Sequence, residues 1–122
     1  MVDIFKALSQ ENRIAILALL SDQPLCVCDI ESNLQLTQSN ASRHLSALRN
    51  AGIIKSYKTA QWVYFTIDET FQIENESLWQ YLCEQFEKQP YLAVRKSYQA
   101  VSSCSGPFPV ELKKHFLRRT YE

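Results

Sequence analysis

Glycine is almost missing from this chain, with only Gly52 and Gly106 in 122 residues. That scarcity argues against a Gly-rich phosphate loop and against an all-β fold with many tight turns. Long apolar runs are missing too. No stretch approaches the roughly 20 residues that a membrane span needs, so no membrane partner is expected. The segment Met1-Val2-Asp3-Ile4 carries no basic stretch followed by an apolar one. No secretory signal is therefore expected there, and the cytoplasm is the expected compartment. Cysteine is sparse: Cys26, Cys28, Cys83 and Cys104. A secreted disulfide scaffold would be denser. In a cytosolic chain four thiols point to metal binding, redox response or packing. What remains is 46% hydrophobic and 21% charged residues, the profile of one globular domain.

Formal charge sums to zero, but acids are absent from Ser32 to Ile67, a stretch that holds Arg43, Arg49, Lys55 and Lys58. From Asp68 to Glu87 the pattern reverses, with acids and no Lys or Arg. One positive face on a neutral protein suits attraction to a polyanion.

The elements follow from periodicity. Ser9 is expected to cap a central helix over Gln10–Leu20, apolar nearly all round from Ile14. Pro24 and its neighbours end it. A short helix follows over Val27–Leu34, with Val27, Ile30 and Leu34 on one side. After a tight link at Gln35-Leu36, Thr37 is placed to cap a helix over Gln38–Ala51. Its apolar stripe is Ala41, Leu45 and Leu48, and Gly52 suits its carboxy-terminal stop. Ile53–Tyr57 and Trp62–Ile67 read as two strands joined by a tip longer than two residues, because Asn-Gly and Asp-Gly are missing. Leu78, Leu82 and Phe86 mark one later helical stripe. Tyr91, Val94, Tyr98 and Val101 mark another, with Pro90 between them. Ser103–Pro109 reads as a loop and Val110–Leu117 as a last short helix. The fold class is therefore mainly α with a β-hairpin wing (α+β). Residues 1–103 form the domain, and 104–122 form a tail with a basic block at Lys113, Lys114, Arg118 and Arg119.

Two short helices with a tight link, the second capped and basic, followed by a hairpin, make a winged helix-turn-helix. The DNA major groove admits one α-helix, whose amino-terminal half must offer small polar groups to base edges. Gln38, Ser39, Asn40, Ser42 and Arg43 do that here, with His44 as a further candidate. Lys58 and Gln61 at the hairpin tip could reach the adjacent backbone or minor groove. Double-stranded DNA is the expected partner.

Leu25-Cys26-Val27-Cys28-Asp29-Ile30, Gln38-Ser39-Asn40-Ala41-Ser42-Arg43-His44-Leu45, Gly52-Ile53-Ile54 and Trp62-Val63-Tyr64-Phe65 together resemble the ArsR/SmtB family of metal-responsive winged-helix repressors. The likeness covers roughly residues 3 to 103. Its Cys-Val-Cys-Asp run resembles the subgroup that senses trivalent arsenic and antimony. The resemblance implies a homodimer, built on segments around Asp3–Leu8 and Leu78–Val101, that represses an operon and leaves DNA when inducer binds. The family's zinc site on the last helix needs His among its ligands, and Leu78–Val101 has none.

No permanent cofactor is expected; the inducer is As(III) or Sb(III), or a methylated trivalent arsenical. A thiophilic ion prefers thiolates, and trivalent arsenic takes three ligands in a pyramid. Cys26 and Cys28 offer two. In a regular helix residues two apart point about 200° apart, so both face one ion only if the helix start is distorted. A helix amino terminus is also expected to lower their thiol pKa. The best-known arsenic pattern has a third Cys where this chain has Glu31. Cys104 and Cys83 are the candidates for the third ligand, from the same chain or a dimer partner. They lie about evenly on either side of Ala93, so a turn at Pro90 could bring them together as a two-thiol site.

The alternative on the same scaffold is a thiol redox or persulfide sensor. That type pairs a Cys near position 31 with one on the late helix, and this chain has Glu31 and Cys83 at those places. A thiol enzyme is not expected. Asp29 and Glu31 follow the cysteines closely and would repel an oxyanion, and no Gly- and Arg-bearing anion loop surrounds them.

Overall fold

The run from Ile16 to Leu20 is almost wholly removed from solvent, and the rest of the domain is assembled around it. Each such Leu or Ile side chain contributes about 1.5–3 kcal/mol by leaving water. A computed structural model describes residues 2–59 and 62–100. The order is α1 (Val2–Ala7), α2 (Glu11–Leu20), β1 (Leu25–Cys26), α3 (Val27–Leu34), α4 (Gln38–Asn50), β2 (Ile54–Thr59), β3 (Trp62–Ile67), α5 (Glu69–Glu74), α6 (Glu76–Phe86) and α7 (Tyr91–Lys96). Mostly helical, with one small antiparallel sheet, this is a winged helix-turn-helix.

α2 is central as expected, but Ser9 does not cap it. The cap position belongs to Gln10, whose side chain makes no capping bond. The Ser9 hydroxyl instead donates back to the Lys6 carbonyl at 2.6 Å, closing the end of α1. Ile30, Leu45 and Leu48 bring α3 and α4 onto the same core. The link between these two helices turns at Gln35, which sits in the left-handed region at φ 54°. Gly52 follows α4 at φ 80°, where a side chain would be strained.

The sheet has the order β1-β3-β2, all antiparallel. β1 is two residues long and exists only through its partner: Leu25 lies opposite Phe65, and Cys26 opposite Tyr64. In the wing, Thr59 pairs with Trp62, so only positions 60 and 61 lie between the strands. The expected longer tip is thus corrected. The pairing continues two pairs beyond Tyr57, through Lys58–Val63 and Thr59–Trp62.

Among the described residues the last third holds α5, α6 and α7, and α5 is a helix that the two expected stripes did not include. Asp68 caps α5 through the Thr70 amide at 2.8 Å. Trp79, Leu82 and Phe86 of α6 are buried. Phe71, Trp79, Phe86 and Tyr91 meet edge to face with centroids 6.1–6.3 Å apart. α7 is pinned to α2 and its following turn. Arg95 donates to both carboxylate oxygens of Asp22 at 2.8 Å and to the Phe86 carbonyl at 2.9 Å. Tyr91 donates to Glu11 at 2.7 Å. The stripe expected to run from Tyr91 to Val101 ends early: α7 stops at Lys96, and Tyr98 lies beyond it. Among the described residues, no helix is long and apolar enough to cross a membrane. The expected tail, 104–122, lies outside the described residues, as do the loop and last helix expected there.

Candidate nucleic-acid interface and thiol pair

α4 begins where the sequence places it. The Thr37 side chain accepts a hydrogen bond from the Asn40 amide at 3.2 Å. The first two turns then hold Gln38, Ser39, Asn40, Ser42 and Arg43, all exposed, while Ala41 and Leu45 are buried beneath them. Arg43 leans on Asn40, its Nη2 donating to Oδ1 at 3.4 Å. This is a convex, polar, acid-free surface of helical width, the shape and chemistry that a major groove accepts.

His44 does not belong to that surface. It is only 2% exposed, and Arg13 of α2 donates from Nε to its Nδ1 at 3.2 Å. The imidazole therefore accepts at Nδ1 and is held neutral. Burial lowers its pKa first, and repulsion from Arg43 and Arg13 adds to that. The expectation of a base-reading His44 is corrected to one of a side chain that fixes α4 on α2. The cause is helical geometry: position 44 falls on the Ala41–Leu45–Leu48 side, not opposite it.

On the wing, Lys58 is exposed near the tip. Lys55 is engaged, 3.8 Å from Glu69 and 5.0 Å above the Tyr57 ring. Gln61 lies outside the described residues. Arg49, which the groove-facing set omitted, is exposed and lines a cleft of about 270 Å³ with Ser42, Ser46 and Val63. It sits two turns after Ser42, a spacing that could have marked it.

Cys26 lies just before the helix, as the expected bounds Val27–Leu34 imply. It closes β1 and caps α3 in extended conformation, at φ −84° and ψ 166°. Cys28 is in the first turn of α3. Both pack on Tyr64 in one small cluster apart from the main core. The 200° helical separation therefore does not apply, because β1 redirects the first of the two side chains. The Cys26 thiol donates to the Asp29 carboxylate at 3.4 Å. Its pKa is raised rather than lowered: burial is the main cause, and the Asp29 charge adds to it. Cys28 is disulfide-bonded, whereas Cys26 is a reduced thiol. Cys83 packs against the main core from α6, away from the Cys26 cluster. Cys104 lies outside the described residues. Among the described residues no three His, Cys, Asp or Glu side chains gather in a way that could hold a metal ion.

A polar clasp went unseen in the sequence. The Asn33 side chain donates to the Asp29 carbonyl at 2.8 Å and to the Gln99 carbonyl at 2.9 Å, and accepts from the Gln99 amide at 2.8 Å. Tyr98 hydrogen-bonds the fully buried Asp29 carboxylate. Its hydroxyl is pushed up to about 12, by burial first and then by Asp29 and Cys26 beside it.

With this geometry in place, comparison with known proteins is decisive. The family model described as "Bacterial regulatory protein, arsR family" matches residues 10–56, which span α2, α3, α4 and the start of the wing. The arsenical resistance operon repressor of Escherichia coli is 34% identical over 90 residues, covering 63% of this chain and 77% of that protein. The chain belongs to the ArsR family. The transcriptional activator HlyU of Vibrio cholerae is 41% identical over 69 residues, or 57% of this chain. This ArsR-family chain spans 64% of that activator's length. The solved HlyU structure from Vibrio cholerae superposes with a TM-score of 0.61 at 34% identity, covering 71% of this chain and 91% of that one. An ArsR-family chain is a DNA-binding transcriptional regulator and not an enzyme, as the acids following Cys26 and Cys28 led us to expect.

Proposed function

We propose that this ArsR-family protein is a cytoplasmic, homodimeric repressor. It binds double-stranded operator DNA through α4 and the wing, and a trivalent arsenical bound by cysteine sulfur releases it. The observation that carries the reading is one juxtaposition. Cys26 and Cys28 share a cluster at the amino terminus of α3, and α3 packs directly on α4. Chemistry at these sulfurs acts on the support of the groove-facing helix. Direction of control is part of the proposal, since the relatives include both a repressor and an activator by name.

The binding step is an exchange. Arsenous acid, As(OH)3, forms one As–S bond per thiol, and each displaced hydroxide leaves with the thiol proton as water. No electrons move. Three thiols complete the pyramid, and a methylated trivalent arsenical needs only two. Antimonite follows the same scheme. Cys28 must first be a thiol, which a dithiol reductant provides by giving two electrons and two protons to its disulfide. Cys104 is the third ligand in this reading. Gln99 is held on α3 by Asn33, and five further residues span up to about 17 Å. Cys83, on the main core, is left out.

The disulfide at Cys28 favours a second reading, in which the switch is oxidation. In this reading Cys28 pairs with a second cysteine of the chain, and Cys83 and Cys104 are the candidates. Two thiols pass two electrons and two protons to a disulfide or azo oxidant, and a sulfur–sulfur bond forms between them.

One titration separates the readings. The reduced protein selects its duplex from a random library. Anisotropy of that labelled duplex is then followed with arsenite, methylarsenite or diamide. Release by either arsenical, lost in Cys26→Ser and Cys28→Ser, is the expected result. Release by diamide alone transfers the function to the redox reading. No release by any of them rejects both and leaves the DNA-binding reading standing.

A further inference from the structure

We propose that Asn33 and Asp29 clasp the Tyr98–Gln99 segment onto α3, and that this clasp couples the thiol pair to the reading helix α4. The inference rests on the thiol-gated reading above and names the route by which that gate works.

Asn33 is matched to its task. Its amide both donates to and accepts from the Gln99 backbone, at 2.9 and 2.8 Å, as one peptide group pairs with another in a sheet. Its third bond, to the Asp29 carbonyl at 2.8 Å, ties the pair to the first turn of α3. Aspartate would lose both donated bonds, and an apolar residue would lose all three. The two partners lie 66 residues apart, so no local propensity brings them together. Beside them, Asp29 is fully buried. Its carboxylate accepts from the Cys26 thiol and hydrogen-bonds the Tyr98 hydroxyl. One carboxylate thus joins the thiol to the strap.

The consequence follows from donor counting. A Cys26 sulfur bonded to arsenic carries no hydrogen. Asp29 then loses the hydrogen bond it accepts from Cys26, and losing a buried hydrogen bond to a carboxylate is costly. Relief requires the strap or the start of α3 to move. α3 is packed on α2 and α4, so that movement reaches the groove-facing surface. Asn33, Asp29 and Tyr98 are positioning residues: they touch no base and need hold no arsenic.

Asn33→Ala and Tyr98→Phe test this on the reduced full chain. Arsenite binding is read by sulfur–arsenic ultraviolet absorbance, and release by anisotropy of the selected duplex. We expect Tyr98→Phe to bind arsenite within about twofold of the parent; Asn33→Ala, which also loosens the segment leading to Cys104, is compared with the parent at saturating arsenite. The ratio of duplex affinities without and with arsenite should shrink about tenfold in Asn33→Ala and about threefold in Tyr98→Phe. Tyr98→Phe removes one hydroxyl and keeps the ring, so it stays informative if Asn33→Ala folds poorly. Unchanged ratios in both variants, with arsenite bound, overturn the clasp. If arsenite fails to release the parent protein, the thiol-gated reading falls by itself. Hydrogen exchange then decides the clasp: binding duplex must change protection of the Gln99 amide in the parent and not in Asn33→Ala. Equal effects in the two would overturn it.

Discussion

His44 and Cys26 each hold an ionisable group whose neutral form is built into the fold. His44 accepts from Arg13, and burial lowers its pKa, with repulsion from Arg43 and Arg13 adding to it. A base with a lowered native pKa contributes stability that is present above the ordinary value of 6.5. That stability is lost as pH falls through the lowered value. The urea midpoint should therefore hold from pH 8 to 7 and drop between 6.5 and 5.5. His44→Gln, whose side-chain oxygen can still accept from Arg13, should be flat over that window, and an equal drop in both proteins would refute the assignment. Cys26 has the opposite sign. Its raised pKa makes the protonated thiol the native form, so its contribution is complete below 9.0 and is lost as pH rises through the raised value. Cys26→Ser should remove that alkaline loss, read by the same urea titration. The sequence made the two cysteines legible as a pair. It did not make legible the burial of Cys26, because that burial involves pairing with Tyr64 in a distant strand.

At the scale of elements, the reading helix was the most legible part of the chain. Thr37, the Ala41–Leu45–Leu48 stripe and Gly52 are local signals, and α4 runs from Gln38 to Asn50 between them. Those signals carry measurable energy. Thr37→Ala should cost about 1 kcal/mol, since the Asn40 amide loses its acceptor. Gly52→Ala should cost a similar amount, about 1 kcal/mol. Nothing lies within 4 Å of the added methyl, so the whole cost is backbone strain at φ 80°. Equilibrium urea unfolding of both variants checks these values, and a neutral Gly52→Ala would refute the strain argument. β1 and α5 were not legible. Two residues of strand carry no periodicity, and six residues of helix give fewer than two turns of it. The Asp68 cap was visible only once α5 was known. The clasp at Asn33 was illegible for a different reason: a polar side chain's partner 66 residues away leaves no pattern in sequence.

The whole molecule presents apolar side chains that one protomer leaves uncovered. Val2 and Phe5 of α1 are 64% and 56% exposed, and Tyr81 of α6 is 57% exposed. They lie on the first and late helices, the segments that the family resemblance assigned to dimer formation. Single exposed apolar residues are ordinary, so it is their place on these two segments that marks them. The proposed dimer covers them, and it also sets two copies of α4 against two half-sites. The expected gain is large, because the second α4 binds at the effective concentration its tether sets. The double substitution Phe5→Glu with Tyr81→Glu should therefore sediment as a single 14.2 kDa chain rather than twice that mass. Both positions are exposed, so far-ultraviolet dichroism should be unchanged. Affinity for the selected duplex should fall by about 100-fold or more, since only one α4 remains engaged. A variant that stays dimeric would move the interface elsewhere. A monomer that binds the duplex as tightly as the parent would show that one α4 and one wing suffice.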